Sequence, residues 1–249
     1  MFKKLGFTLA EVLITLGIIG VIAAITIPNV IQNSNGVKYR AAFKKGISTL
    51  SQAALTSSAQ YNLDYGNANS ACSGDYEYSA EHNLSGTEYN SSFCYVLSRT
   101  LSAAKFNIAA TSKARNAGGN ASAQYSFAST ATLQSAGNYR VYTLADGMIV
   151  GFKAASKASA PCKLPKGQVL TSSWITNHPN CRGFIDVNGV NLPNREVTCS
   201  SGGTSTNLSN PCTVNNTARN MTDVYPIVFH NTVVEPASNA AAYVLQTAK

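Results

Sequence analysis

Residues 1–32 read MFKKLGFTLAEVLITLGIIGVIAAITIPNVIQ, and this stretch decides the fold. From Phe7 to Ile27 run 21 residues with a single charge, Glu11. An apolar run of that length spans a hydrocarbon core of about 30 Å as a helix. Its three threonines, Thr8, Thr15 and Thr26, can hydrogen-bond to the helix backbone. Lys3 and Lys4 precede it, which orients the extreme N-terminus to the cytoplasm and places residues 29–249 outside. A secretory signal peptide would have a shorter apolar region and a small-x-small cleavage site. A plain signal-anchor helix would not carry Glu11, because a carboxylate inside a spanning helix is costly and calls for a partner.

The string Gly6, Phe7, Thr8, Leu9, Glu11, followed by an apolar run to Pro28, resembles the type IV prepilin N-terminal motif. The resemblance covers about a tenth of the chain and is specific. It joins a basic leader, a Gly-Phe junction, a fixed acidic position and a spanning helix. It implies cleavage after Gly6 by a membrane-embedded prepilin peptidase and N-methylation of Phe7. It also implies partners: the inner membrane, other pilin subunits in a helical polymer and, indirectly, an assembly platform protein and ATPase. Localisation would be a single-pass inner-membrane precursor, then an extracellular or periplasmic filament. After cleavage Phe7 would carry an ammonium in an apolar setting, where an unpaired ion costs several kcal/mol. Glu11 lies one helical turn on. In the family this glutamate neutralises the amine of a neighbouring subunit and sets axial register. The alternative role is a local one, in which Glu11 caps its own helix.

Gly17, Gly20 and Pro28 punctuate the same helix, and Pro28 should kink it or free a carbonyl near Ala24. The resemblance implies that Gly20 to Pro28 extends on assembly. Beyond Pro28 the apolar pattern becomes one-sided. Tyr39, Phe43, Ile47, Leu50 and Ala54 form a helical stripe, with Lys38, Arg40, Lys44 and Lys45 mostly off it. One helix is expected from about Thr8 to about Ser58, roughly 75 Å long. The organisation is therefore a leader (1–6), a transmembrane or filament-core half-helix (7–28), an amphipathic half-helix (29–58) and a head (59–249).

Within the head, residues 59–90 read as loop and Glu88–Ala104 as a second helix with Phe93, Val96, Leu97 and Leu101 on one face. Residues 107–135 are poor in bulky side chains. Strand signals then cluster: YRVYTL (139–144) and MIVGF (148–152) around Asp146–Gly147, GFIDV (183–187), and VYPIVF (224–229) with TVVEP (232–236) around His230–Asn231. Pro226 requires an edge or bulge position. Ala237–Leu245 reads as a short helix or tail. A long helix, a variable segment and about four antiparallel strands make an α+β fold. This order is similar to the pilin fold, a long N-terminal helix packed on a C-terminal antiparallel sheet. The phrases LADGMIVGF, FIDVNGVNLPN and DVYPIVF resemble a C-terminal pattern of large minor pilins, in which an aspartate closely follows the Pro-Asn pair. Here 28 residues separate Pro193–Asn194 from Asp223, so about 196–218 reads as a surface loop insertion.

The six cysteines are Cys72, Cys94, Cys162, Cys181, Cys199 and Cys212. An even count in a membrane-targeted chain suggests disulfides, although six cysteines allow fifteen pairings. Sequence neighbours are favoured: Cys72–Cys94, Cys162–Cys181 and Cys199–Cys212, with buried free thiols as the alternative. Charged residues are only 12% of the chain, against roughly 25% in average soluble proteins. The net charge of +8 becomes +6 without Lys3 and Lys4. Lys153, Lys157, Lys163, Lys166 and Arg182 could form a basic patch, but scattered lysines are usually solvated and nucleic acid is not an expected partner. Asp186-x-Asn188-Gly189 resembles the opening of a calcium loop without its terminal glutamate, and Asp186 and Asn188 are more simply turn residues. No cofactor is expected, calcium being the weak candidate. His82, His178 and His230 are far apart in sequence and support no nucleophile–base pair, so an enzyme is not expected.

The sequence thus points to a pilus subunit, with the size and extra loop favouring a minor or specialised pilin. The alternatives are a pseudopilin of a type II secretion system and, from another class, a singly anchored adhesin or DNA-uptake protein.

Overall fold

The computed structural model describes residues 7–68, 92–101, 105–106, 139–153, 162–189, 191, 193–200, 212–214 and 222–247. In chain order the elements are α1 (Leu9–Tyr61), α2 (Phe93–Thr100), β1 (Lys105–Phe106), β2 (Tyr139–Thr143), β3 (Ile149–Lys153) and α3 (Ser172–Asn177). A 3-10 turn (Pro179–Cys181), β4 (Arg182–Asp186), β5 (Val224–His230), β6 (Val233–Pro236) and α4 (Asn239–Gln246) follow.

α1 is a single helix of 53 residues, about 80 Å long. It starts at Thr8, an N-cap in extended conformation, and ends at Asn62, whose left-handed φ of 52° closes the last turn with its N–H on the Ser58 carbonyl. The helix is unbroken through Gly20 and Pro28 and runs three residues past the expected end at Ser58. Among the described residues nothing buries the first half, Leu9–Ile27. The second half buries Phe43, Leu50, Ala54 and Ser57. Gly46 lets the helix axis approach β4, since a Cβ there would stand 3.1 Å from Ile185 Cδ1.

The six strands form one antiparallel sheet in chain order. The β2–β3 hairpin closes through Leu144 N–H to Met148 O (2.8 Å), with Gly147 supplying the positive φ of 84° that its three-residue loop requires. β4 and β5 are buried along their whole lengths, so both faces of the sheet are covered there. Ile185, Tyr225 and Phe229 face α1 and α2. Tyr225 stacks on Phe43 at 4.4 Å, and Phe229 meets Tyr65 at 4.9 Å and Phe93 at 5.3 Å. The opposite face carries Arg182 and His230, which meet α3 through the Ile175 carbonyl and the Trp174 ring.

Three expectations are corrected by this arrangement. β5 is an interior strand, not an edge, although it contains Pro226. The Pro226 carbonyl accepts from Ala237 N–H (3.0 Å), and N–H and C=O of one strand residue share a flank. The missing donor therefore falls where the β5–β6 ladder ends and costs no ladder bond. Arg182 is not a surface cation. It is buried, with Nε donating to Ile175 O (2.8 Å) and Nη2 to Thr176 O (3.0 Å). His230 ends a strand and is not in a loop.

Cys162–Cys181 and Cys199–Cys212 are both disulfides, Cys94 is also disulfide-bonded, and Cys72 lies outside the described residues, as does His82. The second bridge closes the inserted loop, helped by Ser200 N–H on Thr213 O (2.7 Å).

Gly183 is a point of close backbone approach in the sheet. A Cβ there would collide with the Gly151 carbonyl and lie 2.7 Å from Phe229 Cε2. Gly183→Ala is expected to cost about 1–3 kcal/mol through overpacking. That lowers the melting temperature by about 2–12 °C at this chain length. A thermal melt followed by circular dichroism reads this directly, and an unchanged midpoint would refute the packing assignment.

Candidate processing and assembly site

The N-terminal turn is a reciprocal cap. Thr8 Oγ1 accepts from Glu11 N–H (3.3 Å), while Glu11 Oε2 accepts from both Thr8 N–H and Thr8 Oγ1–H (2.8 Å each). The carboxylate also sits against the positive end of the helix dipole. Thr15 Oγ1 donates to Glu11 O (2.9 Å) and Thr26 Oγ1 to Ile22 O (2.9 Å), so both polar side chains inside the apolar run are satisfied on their own helix. Phe7 precedes the cap and is 89% exposed. Phe7, Glu11, Val12 and Thr15 line a shared concavity at the helix tip. Leu9–Ile27, 19 residues of mean hydropathy 2.4, is long and apolar enough to cross a membrane. Gly6 lies outside the described residues.

The capped turn can therefore do two things chemically. It ends the helix cleanly just after the Gly6–Phe7 junction. It also holds one carboxylate at a position one turn from where a new ammonium would arise. The local capping role of Glu11 is present in the subunit. Sequence reasoning weighed that role but missed Thr8 as its partner, although the Thr-x-x-Glu spacing was readable.

At the other end of the molecule, the Pro-Asn and Asp223 elements meet in spite of the insertion between them. Asp223 is buried, with Oδ2 accepting from Asn194 N–H (2.9 Å) and Oδ1 from Arg195 N–H (2.7 Å). Burial raises its carboxyl above the ordinary range, against the lowering effect of these backbone donors and of the Asn188 side chain. Asn194 holds a left-handed φ of 48°, which turns the chain so that both amides face one carboxylate. Val187 N–H then bonds Asp223 O (3.0 Å) and Val197 N–H bonds Val224 O (2.9 Å). Asp186 and Asn188 take the turn role. Asp186 Oδ1 accepts from Asn188 N–H (3.3 Å), and Asn188 Nδ2 donates to Tyr39 Oη on α1 (3.2 Å). Among the described residues, no group of three or more His, Cys, Asp and Glu converges as a metal set.

Asn231 is a second residue that sequence reasoning missed. Its side chain pairs with Leu164 through Nδ2 to O (2.8 Å) and N to Oδ1 (3.2 Å), and its carbonyl accepts Tyr65 N–H (2.9 Å). It ties the β5–β6 turn to the Cys162 segment and the end of α1. His178 and His230, distant in sequence, are brought around the same Trp174 ring, with centroids at 4.1 and 6.1 Å.

Asp223→Ala would leave two backbone N–H groups without acceptors, at about 1–3 kcal/mol each. We expect a lower melting temperature and faster proteolysis within residues 187–200, read by limited digestion and mass mapping. Wild-type resistance would show that the carboxylate does not hold this turn.

No curated protein and no solved structure matches the chain. Residues 1–27 match the family model described as the prokaryotic N-terminal methylation motif. The capped apolar helix on an α+β head thus begins with a methylation motif of the prepilin type, the signal that type IV pilins and pseudopilins carry.

Proposed function

We propose that this protein is a filament subunit of a type IV pilus, cut between Gly6 and Phe7 and methylated on Phe7. The observation that carries the reading is the prepilin-type signal placed on a capped helix, continuous from an exposed apolar half into the core of the head. Before assembly the apolar half sits in the inner membrane with the head outside. In the fibre the same surface packs against other copies.

The chemistry of the tip supports a change of partner. In the free subunit Glu11 is occupied by Thr8 of its own chain. In the fibre the ammonium of a neighbour's Phe7 takes its place, which neutralises two ions that could not otherwise be buried. The insertion closed by the Cys199–Cys212 bridge favours a minor or specialised subunit over the bulk one.

Mass spectrometry of the mature chain tests the processing. The expected species starts at Phe7 and carries one added methyl group. An intact Met1, or cleavage near residue 30, would remove the proposal.

Glu11→Ala is expected to keep that processed terminus and the wild-type melting temperature of the head, while surface fibres seen by electron microscopy are lost. Normal fibre yield from this variant would show that the charge pairing is dispensable.

A further inference from the structure

Four cations, Lys38, Arg40, Lys44 and Lys45, lie on α1 between Ile27, where the apolar half ends, and Gly46. They stand on the side of that half that carries the head, which in the proposed orientation is the outside. Positive charge close to a span is ordinarily sparse there. No Asp or Glu occurs between Val12 and Leu63, so no carboxylate one turn away on α1 can pair with them.

The structure sorts these cations. Lys45 Nζ is engaged within the subunit, 2.8 Å from Asp146 Oδ2 in the β2–β3 loop. Arg40 is half-buried beside Tyr225. Lys38 and Lys44 are exposed, and neither pairs with a carboxylate among the described residues. Val37, 59% exposed, and Ala41 lie between them on the same open face of the helix. A second copy offers these lysines little. Among the described residues of the head, Asp186, Glu196 and Asp223 are buried and Asp146 holds Lys45. Glu235 faces His230 at 3.2 Å, and Asp64 Oδ1 accepts from Asn67 N–H (2.8 Å).

A bilayer is the other surface that the same helix meets, and α1 is one unbroken element from the apolar half to these lysines. Along its axis Lys38 stands about 16 Å beyond Ile27 and Lys44 about 25 Å. Helical side chains lean back over the turn on their N-terminal side, so both ammonium groups reach toward the span. A headgroup zone is about 5–8 Å deep, and the negative potential of anionic lipid extends about 8 Å further. Lys38 falls inside that field with the helix upright. Lys44 enters it as the helix leans toward about 40°, the upper end of the tilts that spans show. We infer that Lys38 and Lys44 dock on the phosphate groups of anionic phospholipids, at the surface of the bilayer that Leu9–Ile27 crosses. This rests on reading that segment as a membrane span. The contact sets the height and lean of the stored subunit, and as an exposed, screened interaction it releases when the subunit leaves the membrane.

The full chain reconstituted in vesicles tests it, with a water-soluble acetylating reagent and mass mapping of the modified lysines. Acetylation of Lys38 and Lys44 should be about fivefold slower in phosphatidylcholine containing phosphatidylglycerol than in phosphatidylcholine alone, as expected of a lysine held at an anionic surface. The exposed head lysines Lys163 and Lys166 should not change, and high salt should abolish the protection. Lys38→Gln with Lys44→Gln should keep the melting midpoint of the head but lose the enrichment of phosphatidylglycerol among co-purifying lipids, whereas Lys38→Arg with Lys44→Arg should retain it. Equal acetylation in the two lipids would overturn the inference. Protection that grows with the protein-to-lipid ratio would assign the lysines to a second copy and overturn it too. Equal protection by glycerol phosphate dissolved around neutral vesicles would assign them to free phosphate instead of lipid. Release of the unaltered chain from vesicles by alkaline carbonate removes the membrane reading itself, whereas a retained chain with unprotected lysines removes only this contact.

Discussion

The apolar surface of Leu9–Ile27 is left unburied by the described residues of its own subunit, and the rest of the structure is arranged around that exposure. Leucine, isoleucine and valine face outward on all sides of this half-helix. Each such side chain stabilises by about 1.5–3 kcal/mol when taken out of water. A free subunit in water would forfeit that gain at every position. The half-helix is therefore compatible with two surroundings, lipid and other copies of itself, and transfer between them requires no refolding of the head.

Transfer works only if a pull on the helix tip is a pull on the head. The second half of α1 supplies that coupling by being core and not merely a tether. Phe43 stacks on Tyr225 in the sheet centre, Tyr65 Oη–H bonds the Leu50 carbonyl (2.9 Å), and Val234 N–H bonds Ser51 Oγ (3.1 Å). These contacts tie α1 to β5, to its own C-terminal turn and to β6. The aromatic cluster of Tyr65, Phe93, Phe152 and Phe229 packs around the same end. Because α1 is one element of 53 residues, no hinge between separate elements divides anchor from head.

Much of this was legible because the signals were local. A lone carboxylate in an apolar run, a Gly-Phe junction and a stripe at Tyr39, Phe43, Leu50 and Ala54 each announce themselves within a few residues. The β2–β3 and β5–β6 hairpins did so through turn pairs between β-rich runs. What was hidden depends on long-range placement. α3 has only six residues, too few for a helical period. Arg182 counts as a surface cation until α3 presents two carbonyls to it. Pro226 looks incompatible with an interior strand until the end of the β6 ladder is known. Asp223 and Asn231 act across 28 and 67 residues of sequence, distances at which a pattern of residue types carries no geometry.

In the proposed filament, Glu11 would serve two states without conflict. In the subunit it caps its own helix, an interaction worth about 0.5–2 kcal/mol. That is enough to hold the carboxylate in place at the tip, but far less than the several kcal/mol that an unpaired buried ion costs. While the tip is accessible to water or headgroups, the cap suffices and the terminal amine of Phe7 is solvated independently. In the proposed fibre, where packed subunits would enclose the tip, the balance would reverse. An amine without a carboxylate then becomes the largest penalty in the interface. A weak cap is therefore the useful one. A stronger local partner for Glu11 would stabilise the subunit at the expense of the fibre, and a weaker one would leave the carboxylate free to wander from the position that sets register.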